Sequence, residues 1–376
     1  MKPKILKNNF KINTANPDFN NIQSELFNDY NNYVNQNNHP DFIDIDELWS
    51  GTKKTKLTAL DLFCGCGGIS KGLELAGINV LAGLDFFKEA GDTYQANFNH
   101  KFIYGDITQE EVKNKLYSQI KSSLKGKKLN IIAGGFPCQG FSMSGRRDKN
   151  DPRNRLYLEV VDIVKNLEPE YIFLENVKGL ISMDNGKVKE KILGDFQNLG
   201  YEIKAYVLNA VNFETPQKRE RVVFLGNRIG KKILYPNSII KDNKFKTTKD
   251  AIEDLISLEE DKDFSHFITK HNKDMQSRLL NVKEGKGLYE NYSDSWKKCP
   301  WNEPSCTIKE NHGGVNIHPK LPRVLTVREC ARIQGFPDDF IFKGTKSKQL
   351  VQIGNAVPPM LAKAVGLAII KSYENK

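Results

Sequence analysis

Leu57-Thr58-Ala59-Leu60-Asp61-Leu62-Phe63-Cys64-Gly65-Cys66-Gly67-Gly68 runs from an apolar segment straight into a glycine-rich turn. A short apolar run bounded by glycines reads as a buried strand, here over 57–63. The glycines let the backbone turn tightly and leave room for a nucleotide-like ligand. A helix is expected over 69–76, ending at Gly77. Outward from this unit the alternation repeats. Strands are expected at 79–84, 102–104, 129–133 and 171–174, and helices at 86–98 and 156–167. Such alternation predicts an α/β fold with a mostly parallel sheet covered on both faces. Ligands in these sheets bind at the carboxyl ends of the strands.

The flanks differ in character. Residues 1–55 are polar and Asn-rich, and read as a loosely ordered arm of unassigned role, with room for one short docked helix near Phe42-Ile43-Asp44-Ile45-Asp46-Glu47-Leu48-Trp49. The regular region spans 56–226. From 227 to 322 the alternation stops, and a small irregular second domain is expected. Regularity returns over 323–376, which ends in an apolar helix at 359–371.

Of 376 residues, 39% are hydrophobic, enough for a sizeable core, and the formal net charge is +10. That surplus suits a polyanionic partner, although Asn- and Lys-rich composition alone also raises it. No run of about 18 uncharged apolar residues occurs, so no membrane span is expected. The basic start lacks a following apolar stretch, which argues against a secretory signal and for the cytoplasm. The six cysteines, 64, 66, 138, 299, 306 and 330, are then reduced thiols. Cys64 and Cys66 have no companion Cys/His pair at zinc spacing, so no metal is expected.

The residues that carry chemistry fall at strand ends. Asp85 follows the second strand, where a carboxylate can accept from ribose hydroxyls. Asp106 follows the third, suited to an exocyclic amine. Either one alone fits a solvated turn; together with the glycine turn they argue for an adenosine-bearing cofactor. Gly134-Gly135-Phe136-Pro137-Cys138-Gln139-Gly140-Phe141-Ser142 holds a cysteine after a rigid proline, the setting of a thiolate nucleophile. Glu175, in Glu175-Asn176-Val177, lies on the same edge and could act as a proton donor if burial raises its pKa. In Gln217-Lys218-Arg219-Glu220-Arg221-Val222, a strand would aim Arg219 and Arg221 at one face, suiting a pyrimidine carbonyl and a phosphate. The basic loop 145–155, with Arg146, Arg147 and Arg153, reads as a lid over a phosphate backbone.

In this order, these segments closely resemble the C5-cytosine DNA methyltransferase family, over 57–226 and again from Arg323 onward. Arg328-Glu329-Cys330-Ala331-Arg332-Ile333-Gln334-Gly335-Phe336-Pro337 and Gln352-Ile353-Gly354-Asn355-Ala356-Val357-Pro358-Pro359 belong to the match. The resemblance implies a Rossmann-like S-adenosylmethionine-dependent domain with a target-recognition region at 227–322. It implies that Cys138 adds to C6 of a flipped cytosine, that Glu175 acts at N3, that Arg221 holds O2 and that Arg219 steadies the site. Phe63, Gly65, Gly67, Asp85, Phe86, Asp106, Ile107, Pro137, Leu158, Asn355 and Ala356 would line the pocket for S-adenosyl-L-methionine and its product S-adenosyl-L-homocysteine. Ser144 would enter the helix of double-stranded DNA beside the vacated base. A bacterial, monomeric enzyme protecting DNA from a cognate restriction endonuclease is the expected setting.

Three positions depart from the family pattern: Asp85 stands where glutamate is commoner, Cys64 and Cys66 replace other small residues, and Glu214 stands where glycine is usual. Asp85, being shorter, implies a longer or water-mediated ribose contact. A tRNA-methylating relative is the runner-up, disfavoured by Phe136 and by the wide recognition segment. A catalytically dead DNA-binding relative is disfavoured by the presence of Cys138, Glu175, Arg219 and Arg221. A nicotinamide dehydrogenase lacks its G-x-G-x-x-G. If loop 145–155 tracks phosphates, Arg153→Gln should weaken binding to all duplexes alike. The slope of log affinity against log salt should drop by about one unit. An unchanged slope, or a loss confined to one sequence, would remove Arg153 from the phosphate contacts.

Overall fold

The structure, a computed structural model, describes residues 41–51, 53–137, 152–289, 296–309 and 315–375, and only the backbone of 152–155. Asp41–Ile43 (β1) and Asp46–Trp49 (α1) come first, followed by Thr58–Leu62 (β2), Gly68–Leu75 (α2), Asn79–Asp85 (β3), Lys88–Asn97 (α3), Lys101–Tyr104 (β4) and Glu110–Leu124 (α4). Ile131–Gly134 (β5), Pro152–Leu167 (α5), Tyr171–Val177 (β6), Lys187–Gln197 (α6), Glu202–Asn209 (β7) and Glu220–Asn227 (β8) complete the main sheet and its helices. Leu234–Pro236 (β9), Thr248–Ile252 (α7), Lys273–Asn281 (α8), Val327–Ile333 (α9), Lys346–Asn355 (α10) and Pro359–Glu374 (α11) follow.

The main sheet has seven strands in the order β4-β3-β2-β5-β6-β8-β7. Strands β2 to β6 are parallel, while β8 runs antiparallel to both β6 and β7. The chain winds outward from β2 to β4, then returns to start again at β5, so the order reverses between β2 and β5. Loops on either side of such a reversal diverge and leave a crevice. The expected strands are thus present, each within a few residues of its sequence limits. The reversed β8 was not foreseen, because an antiparallel strand buried on both faces has the same apolar pattern as a parallel one.

Both faces of the sheet are apolar and covered. Ala59, Ile131, Phe173 and Val223 pack with α2 and α11 on one side. Leu60, Ile132, Leu174 and Phe224 pack with α4, α5 and α6 on the other. Helix α11 is buried on nearly every side, from Leu361 to Ile370, which accounts for its apolar circumference. It lies against α2, at a contact made close by Gly72. A Cβ there would stand 2.3 Å from the Pro359 carbonyl oxygen and 2.5 Å from Ala362 Cβ.

Two flanking regions sit more tightly than their composition suggests. The end of the polar arm is docked: β1 pairs in parallel with β9, Ile45 is buried, and the Lys363 ammonium lies over the Trp49 ring and donates to the Trp49 carbonyl at 2.6 Å. The irregular stretch shares a core with the regular one. Ile252, Cys299, Trp301 and Ile308 pack with Tyr94, Phe98, Val327 and Ile353, and residues 41–376 form one compact unit.

The Gly72 contact leads to a prediction of sign. Helix propensity alone would make Gly72→Ala stabilising by about 1 kcal/mol. The Cβ would meet backbone atoms on α11, and overpacking costs about 1–3 kcal/mol. Urea denaturation should therefore find Gly72→Ala less stable than wild type; a more stable variant would show that the two helices separate freely.

Candidate active site

The crevice at the order reversal is lined from the strand ends. Phe63 leaves β2 with φ 54°, and Gly65 follows with φ 52°, both left-handed. Among the described residues nothing lies within 4 Å of the place a Gly65 Cβ would occupy, so they leave the turn open. Gly67 is tight instead: with φ 99°, its Cβ would stand 2.3 Å from the Phe98 ring. Asp85 closes β3 and is buried; its two oxygens accept from Gly65 N and Phe87 N, each at 2.8 Å. The expected ribose acid thus first braces the glycine turn, which gives its shorter side chain a structural task. Next to it Phe86 is 64% exposed, and Leu158 on α5 is 47% exposed. Two large apolar groups left uncovered beside an open turn suit the flat face of a base. Asp106 is exposed and accepts from the Thr108 amide and hydroxyl, each at 2.9 Å, while Ile107 is buried beneath it.

Beneath the turn lies a group the sequence reading passed over. Asp61 is fully buried, with Oδ2 accepting from Ser70 N at 3.0 Å and from Ser70 Oγ at 2.6 Å. Ser70 Oγ also meets the Tyr94 hydroxyl at 2.7 Å, which reaches His100 Nδ1 at 3.2 Å. Burial pushes the Asp61 carboxyl up to about 7, against the opposing Ser70 hydrogen bonds. Its place directly before the turn was the available signal. Cys64 and Cys66, beside it, are buried, and burial raises both thiols.

The second half of the site is built on β6 and β8. Because β8 is antiparallel, its start lies at the carboxyl end of β6, with Arg221 opposite Val177 and Val223 opposite Glu175. Glu175 and Arg221 are therefore diagonal neighbours, and Arg221 Nε donates to Glu175 Oε1 at 2.7 Å. Both side chains are nearly enclosed, 9% and 13% exposed. Burial raises the Glu175 pKa, opposed by the positive charges of Arg221 and Arg219. A Cβ on Gly135 would stand 3.2 Å from Glu175 Oε2, so the carboxylate borders the backbone that leads to Pro137. Asn176 fixes that backbone by donating from Nδ2 to the Phe136 carbonyl at 2.9 Å. Cys138, Ser144, Arg146 and Arg147 lie outside the described residues, as does the side chain of Arg153.

Arg219 behaves differently from the expected second guanidinium on one strand face. It lies just before β8, where the chain is engaged with Ser305 through Ser305 N to Pro216 O and Lys218 N to Ser305 O. Its side chain is 2% exposed, and Nη1 donates to Ile308 O at 2.7 Å. Nη2 donates to Gly354 O at 2.8 Å and Ala356 O at 3.2 Å. Three carbonyls engage its two terminal nitrogens, and its charge also bears on Glu175. The carbonyls at 354 and 356 flank Asn355, which is exposed at the end of α10. Gln217 and Gln334 extend the same network, Gln217 Nε2 donating to Gln334 Oε1 at 2.6 Å and Gln334 Nε2 to Ala356 O at 2.6 Å. Glu214, a departure from the family pattern, caps the short helical turn Ala210–Phe213 with φ 56°. Glycine enters that left-handed region at the least cost, and Glu214 occupies it while pairing with Lys246 at 3.3 Å.

A sheet of this order, with strand-end carboxylates and uncovered apolar side chains at its reversal, defines a class, the methyltransferase-type α/β domain. A solved structure from Escherichia coli, titled as a prophage-encoded DNA modification methyltransferase of putative standing, superposes with a TM-score of 0.69 at 26% identity, covering 85% of this chain and 100% of that one. The family model for C-5 cytosine-specific DNA methylases matches residues 57–371, and the chain belongs to that family. It is 36% identical to the type II methyltransferase M1.HphI of Haemophilus parahaemolyticus, across 85% of this chain and 88% of that one. It is 32% identical to M.DdeI of Desulfomicrobium norvegicum, across 85% and 90%. The enzyme is accordingly a DNA (cytosine-5-)-methyltransferase.

Asp61 supplies a test of the cofactor-side architecture. The folded protein keeps a proton on this carboxyl that the unfolded chain, with a pKa of 3.8, releases. Its contribution is whole below the unfolded value and is lost as pH rises toward the folded value of about 7. Asp61→Asn keeps an acceptor for Ser70 without the charge. Wild-type stability relative to this variant should fall by a few kcal/mol, on the order of the pKa gap, between about pH 4 and pH 7. Urea denaturation of both proteins across that range measures it, and a constant difference would mean that Asp61 titrates normally.

Proposed function

We propose that this chain transfers a methyl group from S-adenosyl-L-methionine to carbon 5 of a cytosine flipped out of a specific duplex DNA sequence, through a bond between Cys138 and C6. The buried Glu175–Arg221 pair, 2.7 Å apart beside the backbone leading to Cys138, is the observation that carries the reading. A carboxyl whose pKa burial raises can hold a proton at N3 of the ring, and an adjacent guanidinium can donate to O2. With density drawn from the ring in this way, the Cys138 thiolate adds at C6 and C5 becomes nucleophilic. A base stacked in a duplex presents neither ring face, so this chemistry needs an extruded base.

The open turn at Gly65, the uncovered Phe86 and Leu158, and the exposed Asp106 fit an adenosine-bearing cofactor, with Phe63, Gly67, Asp85, Ile107, Pro137, Asn355 and Ala356 around it. When bound, that cofactor supplies a methyl group carried on a sulfonium, leaving as S-adenosyl-L-homocysteine. Arg219 is assigned a positioning role, holding the segment that carries Asn355. Residues 227–322 are assigned target recognition. Ser144, Arg146, Arg147 and Arg153 are assigned to DNA. The relatives' names, type II methyltransferases of bacteria, support a bacterial protein that shields sites from a cognate endonuclease, and we assign it to the cytoplasm as a monomer.

The covalent step is tested with 5-fluorocytosine at the target. Methyl addition at C5 leaves fluorine where a proton should depart, so Cys138 cannot be expelled. Wild type with S-adenosylmethionine should give a denaturation-resistant protein–DNA adduct, and Cys138→Ser none. Glu175→Gln should form it about 10²–10⁴-fold more slowly. An adduct from Cys138→Ser, or full-rate trapping by Glu175→Gln, would overturn the mechanism. Trapping on fluorinated tRNA but not on DNA would overturn the substrate.

A further inference from the structure

Within 227–322, helix α8 is held at both ends. Asn272 caps its start, Oδ1 accepting from Met275 N at 2.8 Å. Lys298 Nζ closes its end, donating to the carbonyls of Leu280 at 2.9 Å and Leu279 at 3.4 Å. Yet α8 buries only Leu279, and leaves Lys273, Ser277, Arg278 and Asn281 exposed. Arg278 is itself steadied. Its guanidinium lies 5.6 Å over the Tyr289 ring, Tyr289 stands edge-on to Trp296, and Trp296 also meets His271. Trp296 holds φ 54°, a costly conformation for a bulky residue. A cation–π contact restricts the arginine without engaging an acceptor, so its planar donors stay available. The surroundings are basic: from 270 to 298 the described residues carry seven Lys or Arg against two carboxylates, Asp274 and Glu284. Glu284 is already engaged, its Oε2 accepting from Trp301 N at 3.0 Å. Short contacts tie this region to the catalytic edge. Next to Lys298, the Cys299 sulfur accepts from Ser305 Oγ at 3.2 Å, and Ser305 O accepts from Lys218 N at 3.0 Å, directly before Arg219.

We infer that α8 enters the major groove of the target duplex and that Arg278 reads a guanine there, through its O6 and N7. The inference rests on the assignment of 227–322 to target recognition, and it names the side chain that makes the choice. The major groove admits an α-helix, and guanine presents two acceptors side by side in it, which a fork of N–H donors matches. Reading a base rewards a donor group whose position is set before binding, and the Tyr289–Trp296 pair sets it. The exposed Lys273, Lys283 and Lys286 suit the flanking phosphates, contacts that hold the duplex without selecting its sequence.

The test mixes the full-length protein with a pool of duplexes carrying a randomised stretch, recovers the bound fraction and sequences it. S-adenosyl-L-homocysteine is present throughout, so no methyl group is transferred. Wild type should select a sequence with guanine at a fixed position. Arg278→Ala should lose that preference by about 10–100-fold while keeping the other positions and the salt dependence of binding. Tyr289→Leu, which keeps the guanidinium but removes its support, should weaken the same position alone. An unaltered selected sequence from Arg278→Ala would overturn the proposal. So would a loss spread evenly over all duplexes, with the slope of log affinity against log salt lower by about one unit, the mark of a phosphate contact. Wild type showing no guanine preference would overturn it as well. Selection reads binding alone. A failed covalent trap leaves its result standing, and an unaltered selected sequence leaves the covalent mechanism standing.

Discussion

One buried guanidinium connects segments that the chain keeps far apart. Arg219 donates to carbonyls at 308, 354 and 356, linking the start of β8 to the end of the irregular segment and to the turn between α10 and α11. A guanidinium presents five donors in a fixed plane, so it can bind several carbonyls at once where an ammonium would act as a point charge. Removing it would take this donor from the Ile308 and Gly354 carbonyls, at a cost of about 1–3 kcal/mol for each acceptor left unpaired, while the Ala356 carbonyl would keep Gln334. The backbone on either side of Asn355 is held through this contact.

The irregular segment relies on the same kind of bonding. It has few strands to satisfy its backbone, and the residues beside it supply polar side chains instead. Arg323 binds Glu329 through two hydrogen bonds, 2.8 and 2.7 Å long, and Glu329 in turn accepts from the Thr326 amide at 2.8 Å. Burial would raise Glu329, but the Arg323 hydrogen bonds win and hold it below the ordinary carboxylate range. His318, fully buried nearby, is lowered by burial to about 4 and is neutral at physiological pH. Its Nδ1 accepts from the amides of Lys320 and Leu321. Such a network contributes little net stability relative to an apolar core, yet losing one charged partner costs about 3–5 kcal/mol. It specifies one arrangement of a segment whose composition permits many.

These devices share the crevice between rigid and open parts. Asp85 and Asn176 spend hydrogen-bonding capacity on the loops, at Gly65 and Phe136, and thereby hold them in place. Phe86, one residue beyond the first of these anchors, and Asp106, at the end of the next strand, are left exposed. A site works best when its contact groups project from backbone that neighbouring residues have already ordered.

Much of the fold and part of the site could be read from the amino-acid sequence. Apolar runs ending in Gly65, Asp85, Asp106, Pro137 and Glu175 marked five parallel strands and their carboxyl ends, because strand burial and turn geometry are local properties. Motif order was enough to indicate the family. Tertiary structure alone decided the rest. Whether β8 ran parallel or antiparallel depended on hydrogen bonds to β6 and β7, and that direction is what brings Arg221 to Glu175. Arg219 had the same sequence signature as Arg221, and only the packed structure shows one guanidinium held by three carbonyls and the other paired with Glu175. Asp61 looked like any strand-end aspartate until its burial was known. Spacing along the chain records which residues share a strand, but desolvation and partner atoms can come from far along the chain, 137 residues in the case of Arg219 and Ala356, and these determine what each side chain can do.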